Sequence, residues 1–131
     1  FHGHSFTANP LACTAALASM ELLLKEETLA QINLIREKHL QFSKILKQQP
    51  KVENVRQIGT ILAWDFKTET GTSYFNDIGK LLYEEFLNRG IIMRPLGNVM
   101  YLVPPYCITS EELDFIYKNI LEVIANLKFD E

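Results

Sequence analysis

Five prolines cut this chain of 131 residues into segments with few structural options. Proline fixes φ at about −65° and has no N–H to give, so it marks helix starts, turns and breaks. Pro10 follows Asn9, a residue whose side chain can cap free backbone N–H groups. That pair predicts a helix over Leu11 to Lys25, rich in the strong helix formers alanine and leucine. Ala12, Ala15, Ala16 and Ala18 would let it approach a neighbour closely. Pro50 closes a second helix, expected from Leu29 to Gln48, with Thr28 to Gln31 fitting a capping box. Leu29, Ile32, Ile35, Leu40, Phe42, Ile45 and Leu46 form its apolar stripe. His39 falls within that helix and reads as a surface residue.

Val52 to Arg56 and Thr60 to Phe66 read as strands on either side of Gly59, with Trp64 and Phe66 on one face and Asp65 on the other. Thr68 to Thr72 is a polar, glycine-containing loop. Phe75 to Asn88 has a helical period and Gly90 stops it. Ile91 to Met93 and Val99 to Val103 are short strands joined by the turn Pro95-Leu96-Gly97-Asn98. Pro104-Pro105 breaks the ladder, and Thr109 with Glu112 opens a last helix running to about Leu127. The order predicts one α+β domain over residues 1–131, with helices covering a small, largely antiparallel sheet.

The charge balance narrows the partners. A net charge of −3, with lysines and arginines scattered among acids, argues against a nucleic-acid partner, which needs a clustered basic face. No apolar run approaches the roughly 18 residues of a membrane span, and the start is not a signal peptide. Cys13 and Cys107 are far apart and lack metal-ligand spacing, so a reduced, cytoplasmic setting is expected.

Two places carry chemistry. Residues 1 to 13, Phe-His-Gly-His-Ser-Phe-Thr-Ala-Asn-Pro-Leu-Ala-Cys, hold more polar chemistry than a chain start needs, so the 131 residues are expected to be a piece of a longer protein. Gly3 permits close approach of a ligand, and His4 and Ser5 add backbone N–H groups and a hydroxyl. Together they can form a cup for an anion such as phosphate. The same residues also suit a tight loop before a helix. His2 and His4 could instead reach a metal, but no acid or cysteine lies near to complete that set. The second place is Met93-Arg94-Pro95-Leu96-Gly97-Asn98. Proline holds the preceding arginine extended, and a planar guanidinium at a rigid strand end suits a bidentate grip on a carboxylate. A plain surface arginine at a turn is the competing reading. The double proline would aim Tyr106, which otherwise serves packing. There is no convincing Ser/His/Asp or Cys/His set and no glycine-rich phosphate loop, and none of the nine lysines has an apolar setting suited to covalent work.

Taken together and in this order, the two places resemble class III, pyridoxal-phosphate-dependent aminotransferases. The stretch His2 to Cys13 with its alanine-rich helix is similar to the segment opening their C-terminal part. Arg94-Pro95-Leu96-Gly97 with Tyr101-Leu102-Val103-Pro104-Pro105-Tyr106 is similar to the arginine motif near their C-terminus. The resemblance implies the small C-terminal domain of a fold-type I enzyme, with residues 1–25 linking to a large domain that lies upstream. It implies pyridoxal 5'-phosphate as cofactor and a homodimer in the full enzyme. Gly3 would lie beside the substrate, and His4 and Ser5 would contact the phosphate of the neighbour's cofactor. Many relatives have proline and threonine at these two places, so His4 would contribute its backbone N–H. Arg94 would bind a substrate carboxylate. Within the class, the motifs are most similar to the biotin-pathway branch, whose substrates are 8-amino-7-oxononanoate and S-adenosylmethionine, with lysine the amino donor in some relatives. Branches acting on ornithine or 4-aminobutyrate share the motifs, and a non-catalytic anion- or protein-binding module remains the alternative of another kind. No lysine here matches the family's Schiff-base position, so the chain alone is expected to be inactive.

Overall fold

The computed structural model describes residues 3, 5–68, 71, 73 and 78–127. Helix α1 spans Pro10–Leu23, and Asn9 Oδ1 accepts from the N–H groups of Leu11 and Ala12 at its start. Helix α2 spans Glu26–Leu46, strand β1 Val52–Ile58, strand β2 Ile61–Phe66 and helix α3 Ile78–Leu87. Strand β3 is Val99–Leu102 and helix α4 is Ser110–Asn126. The three strands form one antiparallel sheet in the order β1-β2-β3. This is the α+β arrangement expected from the sequence.

The first hairpin is closed by Gly59 and Thr60, with Ile58 opposite Ile61. Gly59 has φ 54°, a left-handed conformation at which any side chain would be strained. Further along, two residues of β1, Asn54 and Val55, oppose the single Trp64, which makes a bulge. Asn54 itself has φ 51°. Its Nδ2 donates to Asp65 Oδ2 at 3.0 Å, and Arg56 Nη1 donates to Asp65 Oδ1 at 2.7 Å. Asp65 lies on the face opposite Trp64 and Phe66, as expected, yet it is buried, with the Asn54 and Arg56 side chains bonded to its carboxylate.

Leu62, Trp64, Phe66 and Met100 are fully buried on the other face, against Ile35 and Leu46 of α2 and Leu113, Ile120 and Ile124 of α4. Each such side chain contributes about 1.5–3 kcal/mol. The spacing 35, 39, 42, 46 gives α2 its inward stripe, and position 39 belongs to it. His39 is therefore not on the surface: it is completely buried. Its Nε2 faces the Thr60 carbonyl at 3.1 Å, so that nitrogen carries the proton and donates. Nδ1 then accepts from the Tyr117 hydroxyl at 2.6 Å. Burial lowers the His39 pKa below its usual 6.5, with the Thr60 bond partly opposing. Burial, then the nearby Asp114 carboxylate, pushes the Tyr117 hydroxyl well above its usual 10.0, so it stays a donor.

Several local features differ from the sequence reading. Helix α2 starts at Glu26 because Glu26 and Glu27 supply the negative charge its N-terminus favours. Thr28 makes no capping box; its hydroxyl donates to the Leu22 carbonyl and so fastens α2 to α1. Residues 91–93 are not a strand. Leu96 and Val99 exchange both backbone bonds, and the pairing goes no further back than Leu96, since the fixed φ and missing N–H of Pro95 disfavour a continued strand. Helix α4 carries the expected capping box of Thr109 and Glu112. Its far end is closed by Lys51, whose Nζ donates to the carbonyls of Ile124, Ala125 and Leu127 at 3.0, 3.1 and 2.6 Å.

The unfolded chain takes up a proton on His39 near pH 6.5, while the folded chain resists it to lower pH. Stability is therefore full above about pH 6.5 and falls as pH drops toward the depressed folded value. The melting temperature should fall between about pH 7.5 and pH 5.5, and His39→Gln should flatten that part of the profile. Lys51→Met should cost about 1–3 kcal/mol in urea unfolding, since charged hydrogen bonds to a helix C-terminus are lost.

Candidate functional site

The arm 91–95 is anchored by alternate residues. Ile91 and Met93 are buried, and Ile92 and Arg94 stand out. Helix α3 delivers the arm through Gly90, with φ 74°, where the Gly90 and Ile91 N–H groups bond back to the carbonyls of Leu87 and Phe86. Beside the arm lies an open groove of about 740 Å³. Ile92, Met93 and Arg94 form one wall, Val103 at the strand exit another, and Phe115 and Ile116 of α4 the third. The lining is mostly apolar. Arg56 and Arg89 are paired with Asp65 and Glu85, and Arg36 with Glu37. Among the described residues, Arg94 has no hydrogen bond or ion pair. It is an exposed guanidinium at the rim of an apolar groove, with its donors available to a carboxylate.

The turn after Arg94 is a two-residue hairpin, Leu96 to Val99, with Gly97 at φ 63° as its first central residue. The second central residue, Asn98, has no exposed surface. Its Nδ2 donates to the Phe66 carbonyl at 2.8 Å, and its Oδ1 accepts from the Ser73 N–H at 3.1 Å. Sequence reasoning saw Asn98 only as a turn residue and passed over Phe115. A signal existed for Phe115: it is out of step with the buried stripe of Leu113, Tyr117, Ile120 and Ile124.

The opening loop is a separate place. His4 lies outside the described residues. Residues 5–8 turn into α1, with the Asn9 N–H donating to the Phe6 carbonyl and Ala8 at φ 57°. Gly3 and Ser5 are exposed, and a Cβ on Gly3 would meet nothing within 4 Å. A hydroxyl and an open glycine backbone suit one edge of a phosphate group, and the remaining donors would come from elsewhere. They therefore fit a pyridoxal phosphate held mainly by other residues. Asn9 already occupies the first N–H groups of α1, so the helix end itself is not the anion site. None of the described lysines is buried; Lys38 is tied to Asp114 and the Ser110 carbonyl, and Lys51 to α4. Tyr106 and Cys107 are exposed beyond the double proline. Among the described residues there is no group of three or more metal-ligating side chains, and no helix is long and apolar enough to cross a membrane.

Residues 1–124 match the family model described as aminotransferase class-III. The chain belongs to the class III aminotransferases. It is 45% identical over 127 residues to an adenosylmethionine-8-amino-7-oxononanoate aminotransferase of Synechococcus elongatus, a match covering 97% of this chain and 29% of that protein. The crystal structure of the similarly named Methanocaldococcus jannaschii enzyme superposes with a TM-score of 0.86 at 33% identity, over 98% of this chain and 30% of that one. An (S)-enantioselective omega-transaminase from Thermomicrobium roseum has a TM-score of 0.81 at 25% identity, covering 96% and 29%. The chain thus spans about 29% of the length of the Synechococcus relative. Gly3, His4, Ser5 and Arg94 all fall within the matched residues.

Because Arg94 has no partner among the described residues, Arg94→Ala should change the unfolding free energy by less than about 0.5 kcal/mol. Asn98→Ala should cost about 1–3 kcal/mol, because it removes the buried bonds to the Phe66 carbonyl and the Ser73 N–H. Urea titration of the two variants checks the contrast.

Proposed function

We propose that this chain is the C-terminal small domain of a pyridoxal-phosphate-dependent aminotransferase of biotin biosynthesis. The full protein would move an amino group from S-adenosylmethionine to 8-amino-7-oxononanoate, giving 7,8-diaminononanoate. The observation that carries the reading is Arg94, an arginine with no partner among the described residues, at the edge of an apolar groove. An acceptor with a carboxylate at one end of an aliphatic chain matches that combination: the fork takes the two oxygens, and the apolar walls keep water from the chain. The names of the relatives support the donor and the acceptor.

Pyridoxal phosphate supplies the electron sink for amino transfer when bound. This chain's share is to hold it from outside: Ser5 Oγ and the backbone of Gly3 and His4 would donate to the cofactor phosphate of the second subunit in a homodimer. That geometry suits an exposed turn with no complete cradle of its own. Helix α1 has no buried residue, and Leu11, Leu17, Met20 and Leu24 are all more than half exposed. In this reading residues 1–25 carry the chain from the large domain and α1 packs against it. Free, exposed Cys13 and Cys107 suit a cytoplasmic setting.

In the full-length protein, Arg94→Ala should raise KM for 8-amino-7-oxononanoate by at least about tenfold, the scale of one lost charged, bidentate contact. The same amino ketone without its carboxylate should be unaffected. Equal effects on both compounds would refute the carboxylate role. The isolated chain, incubated with pyridoxal phosphate and then borohydride, should carry no stoichiometric label on any of its nine lysines.

A further inference from the structure

The groove and the guanidinium explain what Arg94 could hold; the residues behind it explain why it would be held still. Arg94 is joined to Asn98 by three residues with almost no freedom. Pro95 has a fixed φ, Leu96 is bonded twice to Val99, and Gly97 sits at φ 63°. Beyond them the turn is gripped on separate sides. Asn98 donates through Nδ2 to the Phe66 carbonyl at 2.8 Å, and its own carbonyl accepts from the Phe66 N–H at 2.9 Å. Its Oδ1 holds the Ser73 N–H at 3.1 Å. From above, α3 presses on the same turn. A Cβ on Gly79 would lie 2.9 Å from the Gly97 carbonyl oxygen and 3.4 Å from its Cα, and both are backbone atoms that cannot swing aside.

We propose that Asn98 is a positioning residue for Arg94, with Gly79 as the second element of the same clamp. The clamp fixes the turn to the end of β2, and through the short Pro95 arm it fixes where the guanidinium points. A fork aimed in advance loses less entropy on binding a carboxylate, and its two hydrogen bonds must be met in one plane. Small tilts of the turn are therefore felt by a carboxylate and not by the rest of a substrate. This inference rests on the carboxylate reading of Arg94.

The test uses the full-length protein with its cofactor and four variants: Asn98→Ala, Gly79→Ala, Arg94→Ala and the double Arg94→Ala/Asn98→Ala. KM and kcat are measured for 8-amino-7-oxononanoate and for the same amino ketone lacking the carboxylate. The dissociation constant of nonanoate, a probe with the carboxylate but no reactive carbonyl, is measured by calorimetry. Asn98→Ala and Gly79→Ala should each raise KM for the acid and weaken nonanoate by about tenfold, with kcat and the carboxylate-free compound changed less than about twofold. Adding Asn98→Ala to Arg94→Ala should cost nothing further, because the clamp acts only through that arginine. Equal losses for both compounds, or losses that add to those of Arg94→Ala, would mean that Asn98 only stabilises the domain and would overturn the proposal. If Asn98→Ala yields no folded protein, Gly79→Ala decides alone, since its overlap displaces the turn by tenths of an ångström. Failure of Arg94→Ala itself to discriminate between the compounds refutes the carboxylate reading instead, whatever Asn98 does.

Discussion

One buried imidazole ties the domain together. His39 lies on α2, donates to the carbonyl of Thr60 in the first hairpin and accepts from Tyr117 on α4. Tyr117 in turn stacks on Phe42, with ring centroids 4.2 Å apart and planes 17° from parallel. Two helices and the sheet thus meet at one side chain whose polar atoms are both satisfied. A leucine there would supply comparable bulk, but would leave a buried hydroxyl and a carbonyl without partners. The position of α4 on the sheet depends on this contact, and α4 provides one wall of the groove beside Arg94.

Much of this architecture was legible in the sequence because local chemistry agreed with the final packing. Asn9-Pro10, the Thr109/Glu112 box, Gly59, Gly90 and the Trp64/Phe66 alternation each specify their element within a few residues. What failed was decided at longer range. His39 was misread by residue type, although its spacing from Ile35, Phe42 and Leu46 puts it on the inward stripe. Thr28 looked like a cap, but the close junction of α1 and α2 offered its hydroxyl the Leu22 carbonyl instead. Residues 91–93 have strand-like composition, and only the neighbouring proline shows that the arm leaves the ladder.

The candidate site divides in the same way. Arg94 stood out because proline and glycine around it announce a rigid turn. Ile92 and Phe115 did not, since an apolar groove arises only when a splayed arm and a helix come side by side. The opening loop has the residue types of an anion cup, and in its described part Gly3 and Ser5 are exposed. Gly3, Ser5 and Arg94 are all exposed, in a chain that spans less than a third of the Synechococcus relative it matches.

Helix α4 is built by two different kinds of information. Its first turn is closed by its own neighbours, Thr109 and Glu112. Its last carbonyls wait for Lys51, more than seventy positions earlier in the chain. The helix can therefore nucleate at its front as an isolated segment, but its final turn is complete only once β1 has docked. Amide exchange there should track opening of the whole domain, with none of the fraying usual at a helix end.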